Sequence, residues 1–134
     1  MPTTVLQPHV SQVNRSALTR YVTAWTSNAS GAASESVELI QPGELVGVTF
    51  VPGTSGSQPT DAYDVTANDA YGVDALSGQG ANLSNATATM VAPTIPAKDG
   101  TTTSTAPRPV DGTLTVAVTN AGNTKSGTIV FWVR

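Results

Sequence analysis

Apolar and polar residues alternate with a period of two along most of this chain, which is the signature of half-buried strands. The alternation is strictest near the C-terminus, where Leu114, Val116 and Val118 interleave with Thr113, Thr115, Ala117 and Thr119. This predicts a strand over residues 113–119 with its aliphatic side chains inward. After the turn-rich run 120–127 the chain is expected to return as the second strand of a closing hairpin over 128–133, with Ile129, Phe131 and Val133 on one face and Val130 and Trp132 on the other. A strand apolar on both sides must cover its second face with another element or another subunit. Residues 18–26 read the same way, with Tyr21, Thr23 and Trp25 opposite Arg20, Val22, Ala24 and Thr26.

Further strands are expected at 36–40 and 45–51, paired as a hairpin through Gln41-Pro42-Gly43-Glu44, whose proline and glycine suit a type II turn. A second hairpin is expected where Tyr63, Val65 and Ala67 alternate with Asp64, Thr66 and Asn68, turn at residues 68–72 and return through 73–76. The stretch 77–82, Ser-Gly-Gln-Gly-Ala-Asn, reads as a loop, and 86–92 as a weak strand. Residues 93–110 hold four prolines and a threonine run, which predicts a long extended loop placed against a neighbouring subunit. Residues 1–16, with Pro2 and Pro8, form an extended N-terminal arm ahead of a domain spanning 17–134. About eight antiparallel strands, no helical pattern and closely spaced turn signals make the fold class all-β, a single-domain β-sandwich or jelly-roll-like barrel.

Composition narrows the chemistry. The 134 residues include no cysteine, so disulfides and thiolate metal sites are excluded. Charged residues make up 11% of the chain against roughly 25% in ordinary soluble domains. The formal net charge of -3, with six scattered basic residues, argues against a nucleic-acid partner. No apolar run reaches the length of a membrane span, and the N-terminus lacks the pattern of a signal peptide. Asn14, Asn28, Asn82 and Asn85 each begin an Asn-X-Ser/Thr triplet, as chance produces in a chain this rich in those residues.

Catalytic motifs are sparse. His9, the single histidine, lies in the arm, away from any serine and acid pair. Gly53-Thr54-Ser55-Gly56-Ser57 ends in serine where a nucleophile elbow needs glycine, and Gly78-Gln79-Gly80-Ala81 lacks the third glycine and the helix of a dinucleotide site. Asp61, Asp64, Asp69 and Asp74 could offer oxygen ligands to calcium, but their spacing fits no EF-hand; as turn caps they need no metal. Seven aromatic residues leave few for a sugar platform beside paired acids. The reading is therefore no enzyme, no cofactor and no metal.

Two stretches, DAYDVTANDAYGVDALSGQGANLS at 61–84 and PVDGTLTVAVTNAGNTKSGTIVFWVR at 109–134, resemble small virion structural proteins of tailed bacteriophages. That resemblance implies a capsid decoration (cement) protein on the capsid surface, or else a tail, collar or head-tail connector component. It further implies a homo-oligomer, with a trimer favoured, bound to the major capsid protein or other virion proteins, with no membrane partner. The expected contact residues are Val5, Leu6 and Val10 in the arm, Ile95 in the long loop, and Tyr21, Trp25, Val130 and Trp132 as interface or core surface. The rival class is a carbohydrate-binding or adhesin module. It would use loops at 53–58 and 77–82 with Tyr63 or Tyr71 facing solvent.

Overall fold

The described residues form ten strands, and none of the connections between the long ones is a hairpin. A computed structural model describes residues 18–99, 101 and 103–134. The strands are β1 (Thr19–Thr26), β2 (Ala33–Glu38), β3 (Gly43–Pro52), β4 (Asp64–Asn68), β5 (Thr89–Val91), β6 (Thr94–Pro96), β7 (Thr103–Thr105), β8 (Arg108–Val110), β9 (Thr113–Thr119) and β10 (Ser126–Val133). One sheet runs β1-β10-β3, with β5 and β8 both on the far edge of β3; the other runs β2-β9-β4; β6 and β7 form a separate ribbon. Every pairing is antiparallel. The all-β sandwich expected from the alternation is the fold observed.

The face assignments hold strand by strand. Trp25, Val48, Phe50, Ile129, Phe131 and Val133 from the first sheet and Val37, Val65, Leu114, Val116 and Val118 from the second are buried in one core. A bulge in β3 sets Trp132 opposite Gly47 but Val133 opposite Leu45. The extra residue, Val46, lets both Leu45 and Val48 face inward although they stand three apart.

Three expected pairings are corrected. Residues 36–40 and 45–51 do not form a hairpin, because β2 lies in one sheet and β3 in the other. The Pro42-Gly43 turn is a crossover between layers. The closing strands β9 and β10 likewise belong to opposite sheets, with β9 between β2 and β4 and β10 between β1 and β3. Residues 73–76 return no strand: a single bridge links Asn68 and Asp74, and β4 pairs with β9 instead. Turn residues mark where a chain reverses, but not whether it reverses within a sheet or over its edge.

The segment 93–110 is also more ordered than an extended loop. It holds β6, β7 and β8, and its prolines fit because each strand is an edge: Pro96 sits in the two-stranded ribbon and Pro109 in β8, which pairs with β3 alone. The N-terminal arm, with Val5, Leu6, Val10 and His9, lies outside the described residues.

Candidate functional site

The outward face of the first sheet carries three rows of side chains in cross-strand register. Arg20, Trp132 and Gly47 form one row. Val22, Val130, Thr49 and Met90 form the next, and Ala24, Thr128 and Val51 the third. Val22 is 56% exposed, Met90 64% and Val51 39%. Arg20 is the one charge in these rows.

This face is built. The indole Nε1 of Trp132 donates to Thr49 Oγ1 at 3.1 Å, a cross-strand bond that fixes the ring against the sheet. Gly47 makes room beneath it: a Cβ there would stand 2.6 Å from Met90 Cε and 3.8 Å from Trp132 Cδ1. The missing side chain lets the methionine and the tryptophan settle over the backbone, continuing the apolar surface from β10 to β5.

The aspartates of 61–74 do different work. The loop after β4 turns back and lies along that strand's free edge, through Ala75 N to Ala67 O at 2.7 Å, Val65 N to Gly80 O at 2.7 Å and Leu83 N to Tyr63 O at 2.8 Å. Gly80 is required there, because a Cβ would stand 2.2 Å from Val65 O. Carboxylates latch this cover. Asp61 accepts from Asn85 N, and Asp64 from Asn82 N and Asn120 Nδ2. Asp74 accepts from Ala67 N and Leu76 N through Oδ1 and from Gly78 N through Oδ2. Asp69 accepts from Tyr71 N and Val73 N, and those backbone bonds, helped by Arg108, hold its carboxyl below its ordinary pKa. Arg108 stands 3.9 Å from Asp69 and also donates to Asp74 O and Ser77 Oγ, tying the loop to β8. Asp69 and Asp74 cap local turns, as expected, whereas Asp61 and Asp64 bind residues far along the chain. The described residues contain no group of three or more His, Cys, Asp or Glu able to hold a metal.

The contact residues expected from sequence separate into two sets. Val130 and Trp132 lie on the outward face, and Ile95 is exposed on the β6–β7 ribbon. Of the two roles expected for Trp25, interface or core, the structure places it in the core and not at an interface: it is 2% exposed and packs against Tyr63 with ring centroids 5.6 Å apart. Tyr21 packs on the same core, with its hydroxyl accepting from Ile40 N. Tyr63 is buried, which raises its pKa; Tyr71 is 92% exposed on the tip of its loop, beside a shallow cleft of about 390 Å³ lined by Pro42, Pro109 and Asp111. Val22, Val51 and Met90 were absent from the expected contacts. Their parity was readable, but the neighbour order β1-β10-β3-β5 that gathers them was not.

Among the described residues, fold and surface define an all-β sandwich with a mostly apolar outward sheet face. Comparison with known protein families, curated proteins and solved structures finds no match for this chain.

Proposed function

We propose that this chain is a non-enzymatic structural protein of a tailed-bacteriophage virion, a capsid decoration protein whose homo-oligomers, trimers by preference, bind the major capsid protein on the head surface. The observation that carries the reading is the outward face of the first sheet. Val22, Val51, Met90, Val130 and Trp132 offer a mostly apolar area, interrupted by Thr49 and Thr128, with a single charge, Arg20, in its rows. Such a face stabilises contact with a protein neighbour when it is removed from water. The β6–β7 ribbon, carrying exposed Ile95, follows β5 and precedes β8, the two strands on the far edge of β3, and adds a second apolar contact.

The test is co-sedimentation with particles that lack the protein. Val22→Asp leaves the core untouched, and it should weaken binding about tenfold or more, about 1.4 kcal/mol. Undiminished binding would remove the face from the account. Copy number in purified particles separates the head from the alternative placement in a tail, collar or connector: hundreds of copies for decoration, a few to dozens otherwise.

A second reading rests on Tyr71. An almost fully exposed tyrosine on a loop fixed by Asp69 and Arg108 is a preformed stacking platform, as a carbohydrate-binding module requires. Glycan binding lost on Tyr71→Ala would favour it; a silent glycan array would dismiss it.

A further inference from the structure

We infer that β1 is a docking edge for a second copy of this chain: the β1 strands of two molecules pair antiparallel about a two-fold axis and join their first sheets into one. The inference goes beyond the virion reading, which does not say how copies meet, and it makes the free protein a dimer.

The first observation is how the other edges are closed. β5 and β8 occupy the far side of β3, and the loop 75–83 hydrogen-bonds along the free side of β4. β2 sets Glu35 on the same side as buried Val37, a charge that an added strand would have to bury. β5, β6, β7 and β8 are three residues each, and Pro96 and Pro109 interrupt two of them. β1 has none of these guards. It runs for eight residues without proline or glycine, pairs with β10 without a bulge and carries one charge, Arg20. Among the described residues no strand pairs with its other side.

The second is the direction of its backbone groups. Ser27 N donates to Lys125 O at 2.8 Å, one step past the Thr26–Ser126 pair. In an antiparallel ladder, residues bonded to one neighbour alternate with residues turned to the other side. Thr19, Tyr21, Thr23 and Trp25 therefore bond β10, and the N–H and C=O groups of Arg20, Val22 and Ala24 point away from it. Gly53 N, donating to Ser126 O, fixes the same phase from the far side of β10.

The third is self-complementarity. A two-fold axis normal to the sheet keeps the outward side chains of both copies on one side, so opposed residues must share parity. An axis centred on Val22 meets this condition and the backbone one together. Val22 then exchanges both hydrogen bonds with the partner's Val22, and Arg20 does so with the partner's Ala24. The row Met90, Thr49, Val130, Val22 runs on into its own copy, with two β-branched side chains meeting at the axis. Each arginine faces an alanine rather than its like. β1 holds no acid, and the formal net charge of -3 opposes the approach of two copies only weakly.

Sedimentation equilibrium and hydrogen exchange resolved to single amides are measured on the full chain. The mass should be twice the 13.6 kDa of one chain. The amides of Arg20, Val22 and Ala24 should exchange about tenfold or more slowly in the dimer than after dilution. Val22→Pro removes an N–H that β10 does not use, so it should stay folded with the mass of one chain. Val22→Thr keeps that N–H and should remain a dimer; loss of the dimer in both variants would overturn the edge and move the contact to the outward side chains. A one-chain mass for the parent at about 1 mM, or a dimer whose edge amides exchange freely, would also overturn the inference. So would protected edge amides in a monomer, since residues ahead of Leu18 would then be the cover, or a three-chain mass, which would favour the trimer. If Val22→Pro fails to fold, the parent's mass and exchange decide. No particle enters these measurements, so the edge contact and the capsid reading can fail separately.

Discussion

Replacing Asp74 tests how the loop over β4 is held. Its carboxylate accepts three backbone N–H groups, and two of them, from Ala67 and Leu76, belong to residues whose side chains are buried. A hydrogen bond to a charged group contributes about 1.5–3 kcal/mol when shielded and less when exposed. The bond to Gly78 is exposed, and the other two are partly buried. Asp74→Ala should therefore cost about 2–4 kcal/mol, well short of three full contributions, because water re-solvates part of what is lost. For a domain of this length each kcal/mol moves the melting temperature by about 4 °C, so the drop should be roughly 8–16 °C by calorimetry. Asp74→Asn separates charge from geometry. Its amide oxygen can still serve Ala67 and Leu76, while its NH2 meets the N–H of Gly78, and the cost should fall to about 1 kcal/mol. An alanine variant within about 0.5 kcal/mol of the parent, the range of an unremarkable surface change, would refute the latch.

Other outcomes follow from single positions. At Gly127 a Cβ would stand 2.7 Å from Trp25 Cζ2, and Tyr63 packs against the same indole. Gly127→Ala should destabilise by about 1–3 kcal/mol in chemical denaturation, whereas Gly56→Ala, with nothing within 4 Å, should be neutral or slightly stabilising. Asp69 has a lowered folded pKa, so its stabilising share is complete above its unfolded value near 3.9 and is lost as pH falls through the folded one. Stability of the Asp69→Asn variant should accordingly approach that of the parent on acidification below about pH 4, and parallel curves would contradict this. Tyr63 is raised by burial, so stability should decline as pH rises above its unfolded value near 10, and Tyr63→Phe should remove that part of the decline.

Side-chain parity was legible because it depends on neighbours two residues apart. Alternation alone assigns Leu114, Val116 and Val118 to a buried face and groups Ile129, Phe131 and Val133 on one shared face, and all six are buried. Pairing was not legible, because it depends on residues far apart: Val22 meets Val130, and Thr49 meets Met90. The Pro42-Gly43 and 120–125 turns look like hairpin turns in sequence but carry the chain between layers. Strict alternation tells a strand that one face is buried, and a sandwich satisfies that equally by pairing distant strands.

The aspartate-rich stretch shows the same division. Its carboxylates were readable as turn caps, yet their partners are set by a loop that doubles back along β4, where Gly80 is required by Val65 O. Trp25 and Trp132 have similar strand settings in sequence, and one is core while the other faces outward. Gly127 opposite Trp25 and Gly47 opposite Trp132 are the complements that seat each ring, and neither pairing could be read without the register.

Oxidation of Met90 tests the central claim most directly, since this methionine lies 64% exposed in the middle row of the face and far in sequence from Tyr71 on its loop. Particle-bound and free protein are treated with dilute peroxide and the Met90 peptide is followed by mass spectrometry. If the outward face of the first sheet is the contact surface, Met90 oxidises about tenfold or more slowly on the particle, as a buried thioether does, while Tyr71 stays open to iodination. Unchanged oxidation of Met90 with protection of Tyr71 would contradict the account and move the contact to the loop.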